Sequence, residues 1–529
     1  MRSRIKHVFV IYQENESFDH YFGTYPGADN LAGVSAALHG FRQYDPIANL
    51  WITPFRITDP DVESPDHSRK GLLAKMNGGR MDRYIAAQEL ASAKDGYGMD
   101  DQRRLGQLTM SYYDCDTIPF LWRYAAAFTL WDHFHQAMTG PSTPGNIEVI
   151  AAQTGQTQAA RDPSQAVAAG GSGPGVPVEN SMDPPFGPYP GKSESKTQIV
   201  QRYATVMLTL SGRNDLLAAN DTQGVRDDLR SVSRSGRAPV PWSWYQEGYN
   251  GAGRPALPGY SAHHNALQYF AYLRHNDVFW KHVHSLDPLL RELRTGALPA
   301  QGAFYIKGSD FNRFGWRPAN HSPFVQREFL GDDDHPGAGD SDRQVAESFV
   351  ATFVNAIARS RYWHDSAIII TWDDSGGFYD HAPAPGFEAC SDGRPCGDGP
   401  RVPFILISPF AKSGVVVPDV ADTTSVVRFI ETVFALPALA SLPDERPYMP
   451  EGPRDLNPRL SNLAAAFDRQ RLIGTLPPIP AASAIVPDAI VNAFPARMNC
   501  ASLKIHPARP PGTDRVPAGF QPLPKQFIP

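Results

Sequence analysis

The chain has 529 residues, of which 42% are hydrophobic and 20% are charged, and this composition is that of a globular domain. Its formal net charge of −6 excludes a broad basic surface for nucleic acid. No uncharged apolar window reaches about 18 residues, so no transmembrane helix is expected.

Strand and helix patterns alternate along the chain. Continuous apolar, β-rich runs at 7–12, 366–371 and 402–407 predict buried parallel strands. Apolar residues recur every four positions over 345–357, and again after Ser425, and both stripes predict helices. This alternation favours an α/β fold with a doubly wound, mainly parallel sheet and helices on both faces.

The length suggests one large domain with insertions rather than a single small core. We expect one large domain over 1–475, with an insertion at about 157–260. The insertion begins with a stretch over 157–192 that is rich in Gly, Pro, Ala and Ser. Residues 476–529 are proline-rich, which predicts an extended segment packed on the domain.

The four cysteines are Cys115, Cys390, Cys396 and Cys500. Cys390 and Cys396 close a short loop, where a disulfide and a pair of free thiols are both open interpretations. A disulfide fits an exported protein. We therefore expect a periplasmic or secreted protein whose leader is absent from this sequence, with a cytoplasmic location as the alternative. No pair of Cys or His residues has the spacing of a zinc finger.

A polar segment at 13–20 follows the first predicted strand. Ligands in doubly wound sheets collect beyond the carboxyl ends of strands. Glu14 and Asn15 together offer a carboxylate and an amide oxygen to a hard cation. The alternative is a polar turn in which Ser17 or Asn15 caps a helix.

A second polar segment leaves the strand at 366–371. The adjacent carboxylates of Asp373 and Asp374 repel each other unless a cation lies between them. Gly376 and Gly377 permit tight turns close to a ligand. An exposed acidic turn is the alternative, but two such strand ends in one chain favour a shared metal site. Because the protein ligands are oxygens, one divalent ion such as calcium, magnesium or manganese is expected rather than zinc.

The third segment, 140–146, contains Ser142 two residues before Pro144. A proline near a helix start is favourable, so Ser142 is expected near a helix N-terminus. Such a terminus attracts phosphate oxygens, and a hydroxyl that touches a divalent cation becomes a nucleophile. The alternative is that Ser142 or Thr143 is a simple N-cap.

Several histidines lie in polar, loop-like contexts that suit phosphate binding and protonation of a leaving group. Each could instead be a surface or core residue. No phosphate loop of the GxGxxG or Walker type is present, which disfavours nucleotide-cofactor enzymes and kinases. The histidines are His67, His263, His264, His335 and His381.

Taken together, these motifs resemble the bacterial acid phosphatase and phospholipase C family of the alkaline phosphatase-like superfamily. The resemblance runs through most of residues 5–435. The motifs that carry it lie at 14–23, 66–68, 77–82, 112–114, 118–120, 140–144, 373–381 and 401–403.

The resemblance implies roles for individual residues. The implied metal ligands are Glu14, Asn15, Ser142, Asp373 and Asp374. The implied phosphate pocket is lined by His67, His263, His264 and His335. Ser142 would also be the nucleophile, forming a phosphoserine that water hydrolyses, because the superfamily places its nucleophile two residues before a proline. Thr143 is the fallback, and Asn146 stands where sulfatases need an arginine, which disfavours a sulfatase.

Two departures from the phospholipase C pattern favour the single-metal acid phosphatase branch. Phospholipase C members typically show Thr-x-Pro-Asn-Arg and Asp-Glu-His-Gly-Gly, where this chain has 142–146 and 373–377 with Ser375 in place of the histidine. We predict a metal-dependent phosphomonoesterase acting on a small phosphoester at mildly acidic pH. One alternative is a phospholipase C on lipid head groups, with the aromatics of 242–245 either holding a choline-like cation or lying in the core. Another is a non-catalytic protein that binds a phosphate ligand.

Overall fold

The structure is a computed structural model. It describes residues 1–32, 41–164, 177–185, 187, 199–212, 221–251, 254–257, 259–274, 281–310, 312, 330–337, 341–386, 397–492, 498–509 and 515–522.

Strands and helices alternate through the described residues. The strands are β1 His7–Gln13, β2 Gln43–Asp45, β3 Leu50–Ile52, β4 Phe55–Arg56, β5 Ser111–Tyr112, β6 Thr129–Trp131, β7 Phe134–His135, β8 Trp242–Gln246, β9 Val283–His284, β10 Gly302–Lys307, β11 Ser366–Trp372, β12 Phe404–Ile407, β13 Val415–Val417 and β14 Ala421–Asp422. The helices are α1 Phe18–Phe22, α2 Arg69–Met76, α3 Tyr84–Lys94, α4 Met99–Leu108, α5 Pro119–Ala127, α6 Ser142–Ala151, α7 Gln156–Arg161, α8 Val206–Ser211, α9 Arg226–Arg234, α10 Ala271–Arg274, α11 Leu286–Thr295, α12 Arg343–Arg359, α13 Thr424–Phe434, α14 Arg469–Ile473, α15 Asp488–Val491 and α16 Cys500–Leu503.

An eight-stranded sheet in the order β13-β6-β12-β11-β1-β10-β8-β9 forms the centre of the protein. Strands β11, β1, β10, β8 and β9 run parallel to one another. Every residue of β1 and β11 is buried, as expected for parallel strands that are covered on both faces. The predicted α/β fold with a mainly parallel sheet is confirmed.

One strand runs against the prediction. The run at 402–407 forms β12, which is antiparallel to both β11 and β6. The chain leaves β11 at its carboxyl end and returns to the same edge of the sheet near Arg401, whose carbonyl accepts a hydrogen bond from Phe18 N–H. Because the chain re-enters the sheet at that edge, β12 must run in the opposite direction.

The topology brings the carboxyl ends of four neighbouring parallel strands to one edge. In sheet order, β11 ends before Asp373, β1 before Glu14, β10 at Lys307 and β8 before Glu247. All four of these side chains are buried. This edge is therefore where charged groups from distant parts of the sequence meet.

Beyond residue 475, two of the described residues contact the part of the chain that precedes it. A disulfide joins Cys500 to Cys115, which are 385 residues apart in sequence. Phe520 packs edge-on against Phe55 with ring centroids 4.9 Å apart. Cys390 and Cys396 lie outside the described residues. The division into a domain over 1–475 and an extension over 476–529 remains a prediction.

Part of the range 157–260 belongs to the main sheet, because β8 pairs in parallel with β10. The aromatics of 242–245 are accordingly core residues. Trp242 stacks on His282 with ring centroids 3.8 Å apart, and Trp244 stacks on Tyr305 at 5.4 Å. Among the described residues, no helix combines the length and apolarity needed to cross a membrane.

Candidate active site

The two predicted strand-end motifs meet at the carboxyl edge of the sheet. Asn15 adopts a left-handed backbone with φ 64°, a conformation that asparagine tolerates better than most residues. Its backbone N–H donates to Asp373 Oδ1 at 3.1 Å. The N–H of Asp374 donates to the same oxygen at 2.8 Å. Glu14, Asn15, Asp373 and Asp374 are all fully buried, so neither motif is an exposed turn.

Ser142 lies against both motifs. Helix α6 begins at Ser142 with Pro141 as its N-cap, and no side chain caps this end. The Ser142 hydroxyl lies 3.2 Å from Asn15 Oδ1 and 3.4 Å from Asp374 Oδ2. Ser142 is therefore not an N-cap. That role falls in the first motif to Ser17, whose hydroxyl accepts from the His20 N–H at the start of α1.

The neighbouring hydroxyl points elsewhere. Thr143 Oγ1 accepts from the Met182 N–H at 3.1 Å and lies 3.4 Å from the Tyr269 hydroxyl. These partners belong to the segment after α7 and to the turn before α10. Of the two adjacent hydroxyls, the structure brings only that of Ser142 to the oxygens of Asn15 and Asp374.

Two further residues of α6 pack the helix onto the strand ends. A Cβ atom on Gly145 would lie 2.5 Å from the Asp373 carbonyl oxygen, so only glycine allows this approach. Asn146 Nδ2 donates to Asp373 Oδ2 at 3.2 Å and lies 3.5 Å from Glu14 Oε1. Asn146, which the sequence offered only as evidence against a sulfatase, thus connects the two carboxylates.

The four predicted pocket histidines surround this cluster. His67 Nε2 lies 3.3 Å from Asn15 Nδ2, and the His67 and His335 rings are 5.8 Å apart. His264 Nε2 lies 3.4 Å from Glu14 Oε2, and His263 packs edge-on against His264 at 4.1 Å. The structure therefore brings all the predicted site residues together.

Burial disfavours the charged form of two of these imidazoles. Burial lowers the pKa of His264 well below its usual value, although the carboxylate of Glu14 opposes the effect. Burial and the neighbouring His67 lower the pKa of His335 to about 3. Neutral imidazoles can still donate one N–H each to a phosphate oxygen.

Lys307 is a site residue that the sequence reasoning missed. Its ammonium contacts Glu14 Oε1 and lies 4.9 Å over the ring of Tyr12. Lys307 is fully buried at the carboxyl end of β10, between β1 and β8. The apolar run at 302–306 was the available signal, since a charged residue follows it, as charged residues follow β1 and β11.

A buried ion-pair network behind the site was also missed. Arg343 Nε lies 2.9 Å from Glu16 Oε1 and 3.8 Å from Asp334 Oδ1. Asp334 accepts hydrogen bonds from the Tyr21 hydroxyl at 2.8 Å and from Trp372 Nε1 at 2.8 Å. This network connects the residues beside Glu14-Asn15, His335 and Asp373.

The donor set fits a divalent metal ion. Burial raises the pKa of Asp373 well above its usual value, and the charges of Glu14 and Asp374 add to the rise. Glu14 Oε2 makes no hydrogen bond within the described part of the chain. A cation among these oxygens would relieve the repulsion. The residues that would hold it are Glu14, Asn15, Ser142, Asp373 and Asp374.

A second cluster also brings three potential ligand atoms within 4.8 Å of one another, from Asp19, Asp380 and His381. Here Arg401 already pairs with Asp19 at 3.0 Å and with Asp380 at 2.9 Å. His381, whose role the sequence left open, pairs with Asp19 at 2.7 Å. Because the guanidinium supplies the positive charge, this cluster suits a metal ion less well than the strand-end site.

In this α/β fold, oxygen atoms suited to a divalent metal ion lie at the carboxyl edge of the sheet and face the Ser142 hydroxyl at the N-terminus of α6. The model of the Phosphoesterase family matches residues 5–437. The chain therefore belongs to the Phosphoesterase family. The family resemblance carried by the sequence motifs is confirmed.

Three relatives of this chain are phospholipases C. The chain is 26% identical over 465 residues to the hemolytic phospholipase C of Pseudomonas aeruginosa, covering 82% of this chain and 53% of that protein. It is 24% identical over 570 residues to the non-hemolytic phospholipase C of Burkholderia pseudomallei, covering 99% and 65%. It is 24% identical over 469 residues to phospholipase C A of Mycobacterium tuberculosis, covering 82% and 73%. The chain thus spans only part of the length of these relatives.

Among solved structures, the chain is similar to the lipoteichoic acid synthase LtaP from Listeria monocytogenes. The match has a TM-score of 0.32 and 9% identity, and it covers 82% of this chain and 72% of that one. A likeness at this score bears on neither fold nor function.

Proposed function

We propose that the protein is a metal-dependent phosphomonoesterase that works through a phosphoserine at Ser142. The proposal rests on the position of the Ser142 hydroxyl. Ser142 is the first residue of α6, and its hydroxyl lies within 3.4 Å of oxygens from both strand-end motifs. A divalent ion held by these oxygens would lower the pKa of the hydroxyl and offset the charge of the phosphoryl group.

The residues of the chain suit each step of this chemistry. Asn15 Oδ1 and Asp374 Oδ2 are the acceptors within reach of the Ser142 proton. As the bond from Ser142 Oγ to phosphorus forms, the hydroxyl proton passes to the Asp374 carboxylate, the bond to the leaving oxygen breaks, and that oxygen takes up a proton from solvent water. The first N–H groups of α6 attract the phosphoryl oxygens. Water then attacks the phosphoserine, which releases phosphate and restores the hydroxyl.

The histidines supply hydrogen-bond donors around the phosphoryl group. His67 Nδ1–H donates to the Pro65 carbonyl at 2.9 Å, which fixes the orientation of the ring, so Nε2 donates to a phosphoryl oxygen when the ring is an imidazolium. His335 packs edge-on against His67. Donors held in place before the reaction stabilise the charge that builds up in the transition state.

A phospholipase C acting on lipid head groups is the second candidate, favoured by the named relatives. Against it stands the burial of Trp242, Trp244 and Tyr245 in the core, where they cannot form a cage for a choline-like cation. The departures at Ser142 and Ser375 from the phospholipase motifs also favour the monoesterase.

Two comparisons test the proposal. Rates on p-nitrophenyl phosphate and p-nitrophenyl phosphorylcholine are measured with calcium, magnesium or manganese added, and the monoester is expected to react faster. Ser142→Ala should abolish turnover, whereas the matched variant Thr143→Ala should retain it. Full activity of Ser142→Ala would sink the nucleophile assignment. A wild-type protein that is inactive on both substrates with every metal would instead support a non-catalytic phosphate-binding role.

We also propose that the protein folds in an oxidising compartment, either the periplasm or the exterior of the cell. The disulfide between Cys115 and Cys500 supports this proposal, because structural disulfides are rare in the cytosol. A cytosolic fraction that contained the protein with this bond reduced would contradict it.

A further inference from the structure

The loop that carries His67 has no regular structure of its own. No helix or strand lies between Arg56 and Arg69. The His67 imidazole nonetheless lies beside Asn15, which follows the carboxyl end of β1. The position of His67 therefore depends on what anchors the backbone next to it.

A buried lysine provides that anchor. Lys75, in the last turn of α2, is fully buried. Its ammonium donates to the Asp66 carbonyl at 2.6 Å and to the Gly377 carbonyl at 3.0 Å. Asp66 immediately precedes His67, and Gly377 lies three residues after Asp374.

The contact between Lys75 and the Gly377 turn is also tightly packed. Gly377 has φ 75°, a conformation that favours glycine. A Cβ atom at this position would lie 2.7 Å from Lys75 Nζ and 2.6 Å from the Asp66 carbonyl oxygen. The turn after Asp374 thus approaches the His67 loop so closely that the lysine head fits only beside a glycine.

Packing alone does not account for a lysine at this position. Burial lowers the pKa of Lys75 to about 7, although the Asp66 carboxylate opposes the effect. Burying an ammonium group costs free energy, whereas a methionine of similar length would fill the space without that cost. What the lysine adds is a donor that reaches two carbonyl groups on two separate loops.

We propose that Lys75 is a positioning residue for phosphate binding, and that it acts by fixing His67 relative to Asp374 and Ser142. The inference rests on the proposed function, in which His67 contacts the phosphoryl oxygens. Lys75 does not itself touch the reacting atoms. Without the bridge, the His67 loop and the Gly377 turn are free to separate, and the imidazole loses its alignment with the Ser142 hydroxyl.

A double-mutant cycle tests this role. The variants Lys75→Met, His67→Ala and the combination of both are compared with the wild type. Lys75→Met should lower kcat/KM on p-nitrophenyl phosphate by about 10- to 100-fold, as is typical for residues that orient a site from behind. In the His67→Ala background the same substitution should change kcat/KM by less than about threefold, because the residue through which it acts is gone. The matched control is Lys70→Met, an exposed lysine on the same helix, which should leave kcat/KM unchanged.

The same cycle is also read from the dissociation constant of inorganic phosphate, measured by calorimetry with the metal present. This readout needs no turnover, so it decides the role of Lys75 even if the proposed function fails. Equal losses from Lys75→Met with and without His67 would show a general structural role and overturn the proposal. So would a Lys75→Met variant within about twofold of the wild type in both readouts. If Lys75→Met does not fold, Lys75→Ala, which also removes the donor, takes its place in the cycle.

Discussion

Arg343 lies behind the site, and its loss should lower the free energy of unfolding. Its guanidinium lies 2.9 Å from the Glu16 carboxylate, and both side chains are fully buried. Burial raises the pKa of Glu16 well above its usual value, and Arg343 is the main group that opposes this rise. The substitution Arg343→Met removes the cation and leaves Glu16 and Asp334 without their partner.

Removing one partner of a buried ion pair costs about 3–5 kcal/mol, because the remaining charge stays buried without compensation. An exposed pair is worth far less. Arg80 lies 3.5 Å from Asp82, and their side chains are 65% and 51% exposed. Arg80→Met should therefore change the free energy of unfolding by less than about 1 kcal/mol.

The assay is urea unfolding followed by tryptophan fluorescence, at one fixed metal concentration. The combined variant Glu16→Gln/Arg343→Met should recover at least about 1 kcal/mol of the loss, because it leaves fewer uncompensated buried charges. A loss for Arg343→Met no larger than that for Arg80→Met would refute the reasoning. So would a double variant whose loss equals the sum of the two single losses.

The other predictions concern His381, Asn146 and the long-range disulfide. Burial alone lowers the pKa of His381, but the Asp19 carboxylate outweighs it and raises the pKa to about 9. The ion pair thus contributes its full stabilisation of about 3 kcal/mol below about pH 6.5. This contribution is lost as the pH rises through 9. His381→Asn should remove this dependence in urea unfolding series, and an unchanged pH dependence would contradict it. Asn146→Leu removes the amide that connects two metal-site carboxylates and should weaken manganese binding about 10- to 100-fold in calorimetry, whereas unchanged affinity would count against the assigned site. Replacing Cys115 and Cys500 with serine should lower the free energy of unfolding by about 2–5 kcal/mol, and a loss below about 1 kcal/mol would show that the bond is not formed.

The elements that could be predicted from the sequence are those whose signal is local and continuous. β1 and β11 are buried on both faces, so their apolar runs have no polar interruptions. α12 shows its apolar stripe over four turns, and its N-cap Asp342 accepts from the N–H groups of Gln344 and Val345. The parallel direction predicted for β12 was wrong, because direction depends on which edge of the sheet the preceding loop returns to.

The residues of the candidate site also divide into those that could be predicted from the sequence and those that could not. Glu14 and Asp373 follow from the rule that ligands collect beyond the carboxyl ends of parallel strands. Lys307 satisfies the same rule but follows a strand that the sequence reasoning did not single out. The contact between Arg343 and Glu16 joins residues 327 positions apart (343 − 16), and no local pattern marks such a pair.

The disulfide illustrates the same limit. Cys115 and Cys500 are separated by 385 residues, and only the path of the C-terminal segment brings them together. The short spacing of Cys390 and Cys396 drew attention to the other two cysteines instead. Sequence spacing shows which cysteines are neighbours along the chain, whereas pairing depends on the fold.

The central claim is that Ser142 receives the phosphoryl group. Its most direct test is to mix the protein with p-nitrophenyl phosphate and metal, quench the reaction in acid within one turnover, and map the modified peptide by mass spectrometry. We expect one phosphoryl group on Ser142, present in Thr143→Ala and absent from Ser142→Ala. A phosphoryl group on Thr143, or rapid turnover with no phosphoprotein in any quenched sample, would contradict it.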